Sequence, residues 1–193
     1  MTNRKFNIID ILLMDHIYLR ECIETIKDAK SDKNEILSYA KSFLDTLKRH
    51  SEAETKCVYQ PLLQKNSLRT IIMKNEIEHG IADDKVRFLI PKVKMAKIVK
   101  DELLAELIVL AELVEHHIAS EENILFSQMK NELDQDVLND MGFEFMKLRQ
   151  FSEKDLSSYP DLLSELYQWK NSPPRVSNQF LHRMSVYTES TKH

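Results

Sequence analysis

Four histidines and two glutamates stand where a helical protein would ordinarily place apolar side chains: His16, His50, Glu54, His79, His117 and Glu121. His50 and Glu54 are four apart, as are His117 and Glu121. On an α-helix that spacing puts both side chains on one face about one turn apart, so each pair can converge on a single point. An ionised carboxylate in a core costs stability unless it is paired or coordinated, and two of them call for a counter-charge. One or two dications supply it. Imidazoles mixed with carboxylates suit iron, manganese or zinc better than calcium or copper-thiolate chemistry. Because a carboxylate has two oxygens, two metals sharing two glutamates is the economical arrangement. Taken singly, a core histidine is more often a hydrogen-bonded packing residue than a ligand. Six such residues in register would need six separately satisfied buried polar groups.

The elements that must position them are helices. Two glycines and five prolines in 193 residues leave little turn chemistry for a many-stranded sheet. A first helix is predicted from Phe6 to Ala29, its inner face formed by Ile9, Leu12, His16, Leu19, Ile23 and Ile26. A second starts at Asp32, an N-cap with Glu35 three residues on, and its stripe runs Ile36, Ala40, Phe43, Leu47, His50, Glu54 and Val58. Pro61 should bend or close it. The third covers Ser67 to Ile90, with Ile72, His79, Val86 and either Ala82 or Asp83 inward, and Pro91 interrupting. The fourth carries Leu103, Leu107, Leu110, Val114, His117, Glu121 and Ile124 in steps of four and three.

Long amphipathic helices with short connections predict an all-α fold, an up-down-up-down four-helix bundle over residues 1–131 with additional C-terminal helices. Accessory helices over residues 132–170, from Asp134 to Glu153 and from Asp161 to Lys170, should pack outside the bundle. Residues 171–193, with a Ser-Pro-Pro stretch and little to bury, read as a flexible tail.

The inward stripe selects His117 over His116, since four residues after His116 stands Ser120, a poor ligand. His182 and His193 read as surface residues, and Glu52, Glu78 and Glu122 as solvated neighbours. Cys22 and Cys57 make no paired-cysteine motif and read as reduced packing residues, with a redox role the less favoured alternative. A net charge of -4 from 27 basic and 31 acidic residues gives no excess field for nucleic acid or an anionic membrane. No apolar run approaches the roughly 20 residues of a membrane span, and the start of the chain lacks a signal-peptide core. A cytoplasmic protein is expected.

The stretches Leu12 to His16, His50 to Pro61 (HSEAETKCVYQP), Glu78-His79 and His117 to Phe126 (HIASEENILF) together resemble the hemerythrin-like, or HHE cation-binding, family over residues 6–130. The resemblance implies a non-haem di-iron centre with bridging oxygen and carboxylates, held by the six residues named above, that binds or reacts with dioxygen. Oxygen-carrying hemerythrins have two histidines four apart on the third helix; here Asp83 follows His79 at that distance. Asp83 is either an extra carboxylate ligand or a solvated residue on a helix fraying near Gly80. That departure disfavours reversible oxygen transport and favours a sensor of dioxygen, nitric oxide or iron, whose C-terminal region passes a change to a protein partner. One alternative is an enzyme that decomposes peroxide or reduces nitric oxide, and another is a metal-free helical interaction module. Two iron ions are the expected cofactors, with manganese or zinc less favoured. Leu12, Leu47, Leu110 and Val114 should line a small-ligand pocket, and Asp15 and Tyr18 are candidates to orient ligands.

Overall fold

The computed structural model describes residues 7–149. Helix α1, Ile8–Lys27, begins where the Asn7 side chain accepts from the Ile9 and Asp10 N–H groups at 2.9 and 3.2 Å. Asp32 caps α2, Lys33–Glu54, in the same way, accepting from Asn34 and Glu35. The helix then continues through a π-helical turn, Thr55–Tyr59, and a closing turn, Gln60–Leu62, that contains Pro61. Helix α3 spans Arg69–Met95 and α4 spans Asp101–Ser120. The latter also runs on through a π turn, Glu121–Leu125, into Phe126–Glu132. Helix α5 is Gln135–Leu148.

Helix α1 packs against α2 and α4, and α3 packs against the same two. With short connections between successive helices, these four contacts close an up-down-up-down four-helix bundle. Its interior is lined by the expected stripes: Leu12, Leu19, Phe43, Leu47, Ile72, Val86, Leu107, Leu110 and Val114 are all buried. Each such side chain contributes on the order of 1.5–3 kcal/mol by leaving water. Helix α5 lies on α1 and on the π turn of α2, burying Leu138, Met141 and Phe145. Gly142 permits this approach, because a Cβ there would stand 2.9 Å from the Ile8 backbone nitrogen.

Two local expectations fail. Pro91 does not end α3, which continues to Met95 without fraying at Gly80. Pro91 deprives the Arg87 carbonyl of its donor, but Arg87 is exposed and water can serve instead. Ile124 is not inward but 47% exposed, while Leu125 is fully buried. The π turn inserts a residue into the helical register and moves the buried stripe on by one position.

Among the described residues no helix is long and apolar enough to cross a membrane. The expected continuation of the fifth helix to Glu153, the Asp161 to Lys170 helix, the tail, His182 and His193 lie outside the described residues.

Candidate metal centre

His16 from α1, His50 and Glu54 from α2, His79 from α3, and His117 and Glu121 from α4 meet in the bundle interior, none more than 6% exposed. They form two groups, His16 with His50 and Glu121, and Glu54 with His79 and His117. Within each group one donor atom per residue lies within 4.8 Å of the others. The glutamates straddle the division. Glu54 Oε2 lies 3.2 Å from His50 Nε2 and 3.4 Å from His79 Nε2. Glu121 Oε2 lies 3.4 Å from both His16 Nε2 and His117 Nε2. Donors held about 2.0–2.2 Å from one ion at right angles or slightly wider stand roughly 3 Å apart, so this spacing fits shared coordination spheres.

The outward ring nitrogens are held separately. His50 Nδ1 meets Asp15 Oδ2 at 3.1 Å, His16 Nδ1 meets Glu122 Oε1 at 3.0 Å, and His117 Nδ1 meets Glu78 Oε2 at 2.9 Å. An ionised carboxylate can only accept, so each Nδ1 carries the proton and donates, leaving Nε2 to face the centre. The carboxylates are anchored in turn. Arg149 donates to Asp15 at 2.6 Å, Arg20 grips both oxygens of Glu122 at 2.8 and 2.9 Å, and Lys74 pairs with Glu78 at 2.8 Å. His79 Nδ1 faces Thr55 Oγ1 at 3.4 Å.

Of the nine buried side-chain atoms without a hydrogen-bond partner among the described residues, five cluster at this site: His16 Nε2, His50 Nε2, both oxygens of Glu54 and Glu121 Oε2. Each such buried orphan costs about 1–3 kcal/mol. All five belong to the six residues, and all are donors that a cation would engage. The residues therefore fit a metal centre. Electrostatics concur: burial alone would lower the His50 pKa, but Glu54 and Asp15 outweigh it and raise it to about 10. Burial would raise the Glu54 carboxyl, yet His50 and His79 hold it well below its usual range. The pocket thus already favours carboxylates compensated by positive charge.

Asp83 stands half-buried one turn beyond His79, and neither group includes it. Burial raises its pKa against the pull of His79. His116 is exposed and His117 buried, as the stripe requires. Asp15 orients a histidine as anticipated, whereas the buried Tyr18 hydroxyl meets Ser42 and Cys22 instead. Glu78 and Glu122 are not solvated bystanders but histidine partners, while Glu52 is exposed near Lys48. Cys22 and Cys57 are buried and free, and burial pushes the Cys57 thiol up to about 11, which keeps it unreactive.

Sequence reasoning missed Tyr59 and Asn75. Tyr59 is fully buried; its hydroxyl donates to Glu121 Oε1 at 2.5 Å, and Asn75 Nδ2 donates to the same oxygen at 3.2 Å. No spacing rule for a regular helix would have placed Tyr59 here, since only the π turn does so. Arg20 and Lys74 did leave a trace, lying four residues from His16 and Glu78.

The family model for the hemerythrin HHE cation-binding domain matches residues 7–129. No curated protein and no solved structure matches the chain. The match spans all four bundle helices and all six converging residues, and the chain belongs to the hemerythrin HHE cation-binding family.

Proposed function

We propose that this domain holds two iron ions through His16, His50, Glu54, His79, His117 and Glu121, and uses them to bind or sense dioxygen, nitric oxide or iron itself. The observation that carries the reading is the set of five orphaned donor atoms, contributed by His16, His50, Glu54 and Glu121 to two adjoining buried groups. Iron bound there supplies one-electron chemistry and a position open to a small ligand. The protein's part is preorganisation. Asp15, Glu122 and Glu78 fix the ring orientation of three histidines, so that each Nε2 is aimed before any metal arrives. Leu12, Leu47, Leu110 and Val114 restrict water, and Phe126 stacks on His16 with ring centroids 5.7 Å apart.

Sensing is favoured over transport by the way α5 reaches the centre. Arg149, just past its C-terminal end, bonds Asp15, which bonds His50; Phe145 meets the His50 ring edge-on at 6.1 Å. A shift of His50 therefore has a direct route to a helix outside the bundle, and a signal needs such a difference between two states.

Purification in air from iron-supplied cells, followed by metal analysis and visible spectra through reduction and re-exposure, tests the reading. About two irons per chain with absorption that bleaches and returns is expected. A folded chain that takes up no metal under anaerobic reconstitution would sink it in favour of a helical interaction module. Turnover of peroxide or nitric oxide would move the reading to an enzyme.

A further inference from the structure

Tyr59 sits in the donor shell rather than behind it. Its hydroxyl oxygen is 3.4 Å from His79 Nε2 and 3.5 Å from His117 Nε2, two atoms that are themselves 3.0 Å apart. Those lengths are long for hydrogen bonds to a ring nitrogen. They match to within 0.1 Å the 3.4 Å between Glu54 Oε2 and His79 Nε2 inside this group, and the 3.4 Å at which Glu121 Oε2 of the other group reaches His117 Nε2. Asp83, on the neighbouring turn of α3, does not reach this group. The π turn, with the Gln60 N–H bonded to the Thr55 carbonyl five residues back, brings the residue after Val58 round to the face of Glu54.

We propose that the Tyr59 phenolate oxygen is a ligand of the metal at His79 and His117, an assignment that rests on the two-metal reading above. On metal uptake the phenol O–H bond breaks heterolytically, the proton leaves to water, and the oxygen lone pair passes to the metal with no change of oxidation state. Asn75 Nδ2 then remains as the donor to Glu121 Oε1, so that oxygen is not left orphaned. A bound cation reverses the local field that otherwise keeps a phenol protonated beside two carboxylates.

The test is visible absorption and resonance Raman spectroscopy of the full chain loaded with ferric iron, with metal content measured on the same sample. The expected result is about two irons, a phenolate-to-iron charge-transfer band, and enhanced ring vibrations that shift when the protein contains ring-deuterated tyrosine. Tyr59→Phe should lower that band at least tenfold while iron remains bound. The wild-type spectrum decides the matter even if the variant does not fold. Two irons without phenolate vibrations would overturn the ligand assignment, leave the two-metal reading standing, and reduce Tyr59 to a hydrogen-bond donor to Glu121. A chain that binds no iron would overturn both.

Discussion

The two groups of donors share a composition but not a setting. Around His16 and His50, the supporting carboxylates Asp15 and Glu122 are each gripped by an arginine, and two phenylalanines, Phe126 and Phe145, cover the rings. Around His79 and His117 the supports are Glu78, paired with a half-exposed lysine, and the Thr55 hydroxyl, with Tyr59 beside the rings. The first half is thus clamped by charge and tied to α5, while the second is held more loosely and faces a polar oxygen. Under the proposed sensing function, that difference would concentrate binding strength and signal output at the first half, and variable coordination at the second.

The severest way to break the comparison is to remove what the halves share. Chelation should leave all five interior donor atoms orphaned at once, and the melting temperature is expected to fall by about 10 °C or more. Glu54→Ala should do nearly as much, taking metal content from about two ions per chain towards none, because Glu54 Oε2 adjoins a histidine of each half. Calorimetry and metal analysis check both. A Glu54→Gln protein as stable as the parent after metal loading would instead fit a bundle that needs no metal.

The supporting carboxylates sharpen the comparison. Asp15→Asn should weaken metal binding by roughly 10–100-fold, measured by competition with a chelator. Glu78→Gln should fall at the weaker end of that range, since the Glu78 side chain is 14% exposed against 4% for Asp15 and its cationic partner is a half-exposed lysine. Equal losses would remove the case for a clamped first half.

Why some of this was legible and some was not turns on the π turns. The inward placement of His16, His50, Glu54, His79, His117 and Glu121 follows from a regular helical period, as does the choice of His117 over His116. Tyr59, five residues beyond Glu54, would lie about 140° round a regular α-helix from it and so escapes any stripe drawn on that period. The same geometry misplaced Ile124. Glu78 and Glu122 escaped for another reason: they lie beside the inward stripe, where a carboxylate is ordinarily solvated, and only the packing of neighbouring helices brings a histidine to them. The Asn7 and Asp32 caps illustrate the local information that sequence carries well, because an N-cap is satisfied by backbone within three residues.

The two glycines separate the face that α5 covers from the exposed back of α3. Gly142→Ala should destabilise the fold by about 1–3 kcal/mol, because its methyl group would meet the backbone of Asn7 and Ile8 at 3.0 and 2.9 Å. It should also loosen the contact of Arg149 with Asp15, so metal affinity at the first half falls with stability. Gly80→Ala, with nothing within 4 Å of the new Cβ, should stabilise α3 by about 0.5–1 kcal/mol and leave metal binding unchanged. Denaturant titrations of both variants check the signs, and a stable Gly142→Ala with intact metal binding would separate α5 from the centre.

The smallest effect expected is on acid stability, and it again ranks the halves. Hydrogen bonding to His117 lowers the Glu78 pKa to about 2; burial opposes the same shift at Glu122, but His16 and Arg20 outweigh it and bring that group also to about 2. A carboxyl whose folded pKa lies below its unfolded value near 4.5 binds more protons unfolded than folded between those limits. Its stabilisation is therefore present above pH 4.5 and is lost as the pH falls towards 2. Glu122→Gln and Glu78→Gln should each flatten that acid limb in the chelated protein by a few tenths of a kcal/mol after solvent screening. Glu122, gripped through both oxygens by Arg20 as well as by His16, should give the larger change. Thermal melts at pH 6 and pH 3 measure it, and a larger flattening from Glu78→Gln would mean that the second half, not the first, is the one clamped by charge.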